Sequence, residues 1–202
     1  MDMYFFEFDT LEKELSELTQ FHKIAFAASC CERMIPNYNA FSRMYNWGNP
    51  NVARTALDEV WQILEGKPID PAKIEQLIEA CGDEHIFPDD LDFGGQYCME
   101  AQEALQSIIY TLCEFIKPTL MDIVKIAKSA RTTIEAHIDS VFKPGQNKSE
   151  NDIAFHPLAV REMAKEAEDL QRLKETEILD RDFLEWLRTS FDNDGKSLID
   201  LG

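Results

Sequence analysis

Residues 21–35 read Phe21-His22-Lys23-Ile24-Ala25-Phe26-Ala27-Ala28-Ser29-Cys30-Cys31-Glu32-Arg33-Met34-Ile35. Wound at about 100° per residue, this stretch places apolar side chains on nearly every face. A helix that is apolar all round is buried by other helices, so these residues predict the centre of an all-α bundle. Glu32 falls between Phe21, Ala25, Ala28 and Ile35, so its carboxylate points into protein. His22, Ser29 and Arg33 share a neighbouring strip. A buried carboxylate needs a partner, because an unpaired buried charge is strongly destabilising. Two readings follow: an internal ion pair with Arg33 or Arg54, or a ligand pocket with Glu32 at its floor.

Outward from this helix, apolar positions recur at three and four residues, and the breaks carry helix-start chemistry. Thr10 is expected to cap a short helix through Leu11, Leu15 and Leu18, and Thr19 to cap the central one from Gln20 to about Met34. Pro36 either starts a further stretch to Tyr45 or kinks the same helix. Asn49-Pro50 and Asp70-Pro71 each pair an N-cap with proline at the first helical position, opening helices to Glu65 and to about Gly82. Further helices are expected from about Gly95 to Ile116 and from Thr119 to Phe142. Residues 143–156 form a polar connection. His156-Pro157 then opens a long C-terminal pattern through Ala159, Met163, Ala167, Leu170, Leu173, Thr176, Leu179, Phe183 and Leu187, its mean step about 3.5 residues, as in a packing seam. Met3 to Phe8 could be extended, but one short strand makes no sheet. The whole chain, 1–202, thus reads as one domain of about seven helices.

Composition agrees. The chain has 202 residues, 45% apolar and 29% charged, with only eight glycines and eight prolines. That length suits one domain with a substantial core and argues against a turn-rich β architecture. Against 20 Lys and Arg stand 38 Asp and Glu, a net charge of −18. Such a field repels phosphate backbones, so nucleic acid is not an expected partner. Uncharged stretches are too short to span a bilayer, and Met1 to Lys13 lacks a basic leader, so neither a membrane span nor a signal peptide is expected. Cys30, Cys31, Cys81, Cys98 and Cys113 are odd in number, form no C-x-x-C and lie mostly in apolar helical patterns. They read as reduced thiols of a cytoplasmic protein.

Cys31-Glu32-Arg33-Met34-Ile35-Pro36-Asn37-Tyr38 resembles the Cys-Glu-Arg-Met-x-Pro-Asn-Tyr signature of the YjaG-like bacterial proteins, a family catalogued as a domain of unknown function. The resemblance continues through Arg54, Leu57, Asp58, Trp61 and Leu64, through Pro88-Asp89-Asp90-x-Asp92, and to Gly195-Lys196-Ser197. Gly94-Gly95-Gln96-Tyr97-Cys98-Met99-Glu100-Ala101 departs from the family's usual Gly-x-Tyr-Pro-Ala-x-Asp-Ala. Likewise Ser197-Leu198-Ile199-Asp200 stands where Ser-Asn-Ile-Gly is common. The resemblance implies a helical fold and a bacterial cytoplasmic setting, and it implies no reaction.

The charge pattern has one anomaly. Residues 74–116 hold ten acids (Glu75, Glu79, Asp83, Glu84, Asp89, Asp90, Asp92, Glu100, Glu103, Glu114) and no Lys or Arg. Like charges in such density oppose folding unless solvated or matched by a cation or basic partner. Glu100 and Glu103, three apart on one helix, could present oxygens to Mg²⁺ or Mn²⁺ together with Asp89, Asp90 and Asp92, as in all-α pyrophosphohydrolases. A second acidic pair on a facing helix is not visible. Glu135, His137 and Asp139 do not converge on a helix, and no zinc spacing occurs. Gly195-Lys196-Ser197 lacks the earlier glycine of a phosphate loop. Asp192-Asn193-Asp194-Gly195 would place Ser190 and Leu201 at the first and last positions of a calcium loop, where carboxylates are required.

No catalytic signature emerges, which weighs against an enzyme. The leading expectation is an interaction protein with an acidic surface for a basic protein partner, or a homodimer. The alternatives are a divalent-metal-dependent hydrolase and a small-ligand binder using Glu32, Arg33, Asn37, Tyr38, Arg54 and Asp58. The three tryptophans, Trp47, Trp61 and Trp186, fall on or beside apolar stripes and read as core.

Overall fold

The structure, a computed structural model, describes residues 5–141, 149–191 and 193–202. Its centre is α2 (Gln20–Tyr45), which follows α1 (Asp9–Ser16). The Thr19 side chain accepts the His22 amide at its start, and Asn46 in the left-handed conformation ends it. Helix α2 runs through Pro36 without a break, so the proline lies inside one helix rather than opening a second. Around it pack α3 (Pro50–Leu64), α6 (Cys98–Cys113), α7 (Leu120–Val141), α9 (Pro157–Glu175) and α10 (Arg181–Thr189). Helix α4 (Pro71–Cys81) leans on α3 and α6, while α5 (Asp90–Phe93) and α8 (Glu150–Ala154) are single turns. The described residues hold ten helices and no strand, with one shared core. The all-α bundle read from the sequence is the fold; the two single turns and a split in the C-terminal pattern account for most of the difference from seven.

The expected caps Thr19, Asn49 and Asp70 hold as read, and His156 likewise accepts an amide of the helix it opens. Others differ for visible reasons. Helix α1 begins at Asp9, after Phe8, and Thr10 is not its cap. The Arg131 guanidinium holds the Phe5 and Glu7 carbonyls and lies 4.6 Å from the Phe8 ring centre, which fixes the chain just before that start. Helix α6 begins at Cys98 rather than near Gly95, because Tyr97 takes a positive φ of 67°. The C-terminal pattern is two helices. Thr176 is extended and its carbonyl meets His22 Nε2 at 2.8 Å, and Asp180 then caps α10 through the Phe183 amide. Residues 143–148 of the polar connection at 143–156 lie outside the described residues, as do Phe142, the expected end of the helix before it, Met3 and Tyr4 of the stretch read as extended, and Asp192 of the calcium-like loop. Ser149 and Asp152 build a capping box for α8.

The buried face of α9 is the largest departure. Leu158, Ala159, Leu170 and Leu173 are buried there, but so are Glu162, Lys165, Glu166 and Asp169. Met163 and Ala167, read as part of the seam, are only half-buried.

Candidate functional site

The signature around Pro36 is distributed to several places. Arg33 is 1% exposed and turns toward α9. Its Nε donates to both Glu162 oxygens at 3.0 and 2.9 Å, and its terminal nitrogens reach Glu162 Oε1 at 2.6 Å, Ser29 Oγ at 2.8 Å and Asp169 Oδ2 at 3.2 Å. Lys165 pairs with Asp169, and Arg131 with Glu166, so three cations face three carboxylates in the core. Burial alone would lower the Arg33 pKa; Glu162 and Asp169 outweigh it and hold that pKa well above its ordinary value. Burial pushes the Asp169 carboxyl up against the pull of Arg33 and Lys165. The cysteines are free, four of them buried, and burial drives the Cys31 thiol to about 12. A thiol in that state is a small apolar group and not a nucleophile.

Glu32 points the other way, toward α3 and α10. Arg54 grips it with two bonds at 2.7 and 2.8 Å, the Trp61 indole donates at 2.7 Å and Arg188 approaches to 3.2 Å. Asp58 completes the group, held by Arg54 at 2.8 Å and Arg188 at 2.5 Å. Of the six ligand candidates, Glu32, Arg54 and Asp58 therefore meet, and Arg33, Asn37 and Tyr38 do not join them. The Arg54 terminal nitrogens, the Trp61 indole and Arg188 are all engaged with carboxylates of the chain, which favours the ion-pair reading of Glu32 over a pocket floor. Arg188 was invisible to the sequence reading, because nothing local marks it as the partner of a residue 156 positions earlier.

Asn37 and Tyr38 are fully buried. Tyr38 donates its hydroxyl to the Ile86 carbonyl at 2.8 Å and accepts the Asn49 amide at 3.2 Å. It thereby ties two loops to α2, and those loops carry much of the wall of a cleft of about 920 Å³. Trp47, Phe87 and Phe93 give the cleft aromatic walls; Glu84, Asp89, Asp90 and Asp92 give it carboxylates. The aromatic side is braced from below: Phe93 lies 4.8 Å from Trp47, 5.3 Å from Phe41 and 5.3 Å from Tyr45, centre to centre. Asp89 also caps α5 through the Leu91 amide at 2.7 Å, and Gln102 fixes the Pro88 carbonyl at 3.0 Å. Leu91, 94% exposed, stands at the rim. Trp47, read as core, is thus half-buried and faces this cleft, whereas Trp61 is core.

The ten acids of 74–116 divide by burial. Glu75, Glu79, Asp83, Glu84, Asp89, Asp90 and Asp92 are exposed, and among the described residues none is paired with Lys or Arg. Glu114 is buried and structural, accepting Gln20 Nε2 at 2.7 Å and the Thr119 amide at 2.8 Å. Glu100 is 8% exposed, and burial raises its pKa against a hydrogen bond from its own amide. Glu103 lines a different groove, with Gln106, Tyr110 and Lys128. The metal candidates are therefore spread over the cleft, the core and a second groove. Among the described residues no group of three or more His, Cys, Asp or Glu converges to hold a metal ion. No described helix is long and apolar enough to cross a membrane.

Residues 10–202 match the family described as "Protein of unknown function (DUF416)". The chain is 26% identical over 189 residues to "Uncharacterized protein YjaG" of Escherichia coli (strain K12), covering 92% of both. An uncharacterized protein of Haemophilus influenzae is 26% identical over 193 residues, covering 94% of this chain and 95% of that one. The crystal structure of a DUF416 family protein from Shewanella baltica OS155 superposes with a TM-score of 0.85 at 26% identity, covering 95% of this chain and 97% of that one.

Proposed function

The chain belongs to the DUF416 family, proteins of unknown function, and on that premise we propose that it is a cytoplasmic interaction protein whose acidic, aromatic-walled cleft receives a basic segment of a partner protein. One observation carries this reading: four carboxylates and three aromatic rings line a single cleft, with no Lys or Arg among its lining residues. An arginine or lysine side chain matches both halves of that surface. Its stem packs on the rings, its charge lies over a ring face or against a carboxylate, and the surrounding negative field speeds encounter.

The test is titration of a Lys/Arg-rich peptide into the protein, followed by tryptophan fluorescence, with an Asp89→Asn/Asp90→Asn/Asp92→Asn variant alongside. Asparagine keeps the cap at position 89. Raising salt from about 0.1 M to about 1 M shortens the screening length from roughly 10 Å to 3 Å and is expected to weaken binding about tenfold or more. The triple variant is expected to bind at least about tenfold more weakly at low salt. Binding indifferent to salt, or unchanged in the variant, would overturn the proposal.

A further inference from the structure

We propose that the 193–201 segment acts as a latch on the Pro36 turn of α2 and thereby sets the position of the loop that walls the acidic cleft; this regulation rests on the cleft being the binding site. Pro36 has no amide to give to the Glu32 carbonyl, so the helix ladder of α2 lacks one hydrogen bond at this turn. Next to that carbonyl comes an outside donor: the Leu198 amide reaches the Arg33 carbonyl at 2.9 Å. Ser197, Leu198 and Ile199 are buried to 2% exposure or less against the bundle.

The segment that delivers this amide is itself a built turn. The Ser197 amide donates to the Leu201 carbonyl at 2.6 Å, and the Ser197 hydroxyl accepts the Ile199 and Leu201 amides at 3.3 and 3.2 Å. From outside, Arg161 donates to the Leu198 carbonyl at 2.9 Å and to Asp200 at 2.8 Å. On the far side of the proline, Tyr38 carries the bonds to Ile86 and Asn49. A short stretch of α2, Arg33 to Tyr38, therefore joins the latch to the two loops of the cleft. A turn that lacks a ladder amide can change its bend at smaller cost in hydrogen bonds than its neighbours, and a change there moves Tyr38 relative to Arg33.

Hydrogen-exchange mass spectrometry of the free protein tests the link without any partner. Ser197→Ala removes the hydroxyl that closes the turn, and Arg161→Gln removes its outer clasp; neither residue touches the cleft. Each variant is expected to raise exchange by about threefold or more in 193–201 and in 82–93, while the amides of α6 stay protected. In a Tyr38→Phe background, Ser197→Ala is expected to leave 82–93 unchanged relative to that background. A rise confined to 193–201, a uniform rise over the whole chain, or a rise in 82–93 that persists without the Tyr38 hydroxyl would each overturn the latch. Exchange is read without peptide, so this outcome is separate from success or failure of peptide binding.

Discussion

Arg33 and Glu162 meet side-on in the core, three nitrogen–oxygen contacts between 2.6 and 3.0 Å, and neither side chain is more than 1% exposed. The pair joins α2 to α9 across 129 positions of sequence. Two opposite charges this deep are held by each other, since neither has water to fall back on.

Removing Arg33 strands Glu162, and removing Glu162 leaves Arg33 only Asp169, which Lys165 already holds. Glu162→Ala or Arg33→Ala is expected to cost about 3–5 kcal/mol in urea denaturation. Arg33→Met with Glu162→Leu removes both charges at similar volume and leaves Lys165 to neutralise Asp169, so it is expected to recover most of that loss. A double variant as unstable as either single one would show that the wider network, not the pair, carries the cost.

Gly48 has φ of 76°, and a Cβ there would stand 2.5 Å from the Tyr38 hydroxyl and 3.3 Å from its Cζ. Gly48→Ala is expected to destabilise by about 1–3 kcal/mol through strain and crowding. Part of that cost disappears when Tyr38→Phe removes the oxygen in the way. Thermal denaturation of the two single variants and the double one measures it; strictly additive losses would mean that backbone strain alone is responsible.

Glu100 offers a pH readout. Burial lifts its pKa in the folded state above the unfolded value, so folding is favoured while the group is protonated. That contribution is fully present below the unfolded pKa and is lost as pH rises through the folded pKa. Glu100→Gln carries no charge at any pH, so it is expected to melt higher than wild type at neutral pH. The two should converge toward about pH 3, below the ordinary carboxylate value. Melting curves across that range decide it: a constant difference would exclude ionisation as its origin.

Much of the fold is legible in the chain because helix-forming information is local. Thr19, Asn49, Asp70 and His156 cap the helices they precede through atoms two or three residues away, and no distant contact is needed to read them. The same locality explains the errors. Thr10 looks like a cap, but a guanidinium from α7 fixes the preceding backbone. Leu179 continues the spacing of α9, but Asp180 restarts the helix. At the candidate site, Asp89, Asp90 and Asp92 stand out by charge density, and they do line the cleft. Trp47 and Phe93 reach it only through the folding of three separate loops and helices, and hydropathy cannot separate such rings from core.

An all-helical fold, the place of α2 at its centre and a lopsided distribution of charge are legible in the order of the residues alone. These follow from periodicity, capping and composition, each of which is a property of neighbours along the chain. Tertiary structure decided which charges are buried. Glu162, Lys165, Glu166 and Asp169 have the spacing of a helix face, and nothing in that spacing says whether water or Arg33 and Arg131 will meet them. Solvation and pairing are close in free energy for an ionised side chain, so the choice between them rests on what the rest of the fold brings within about 3 Å.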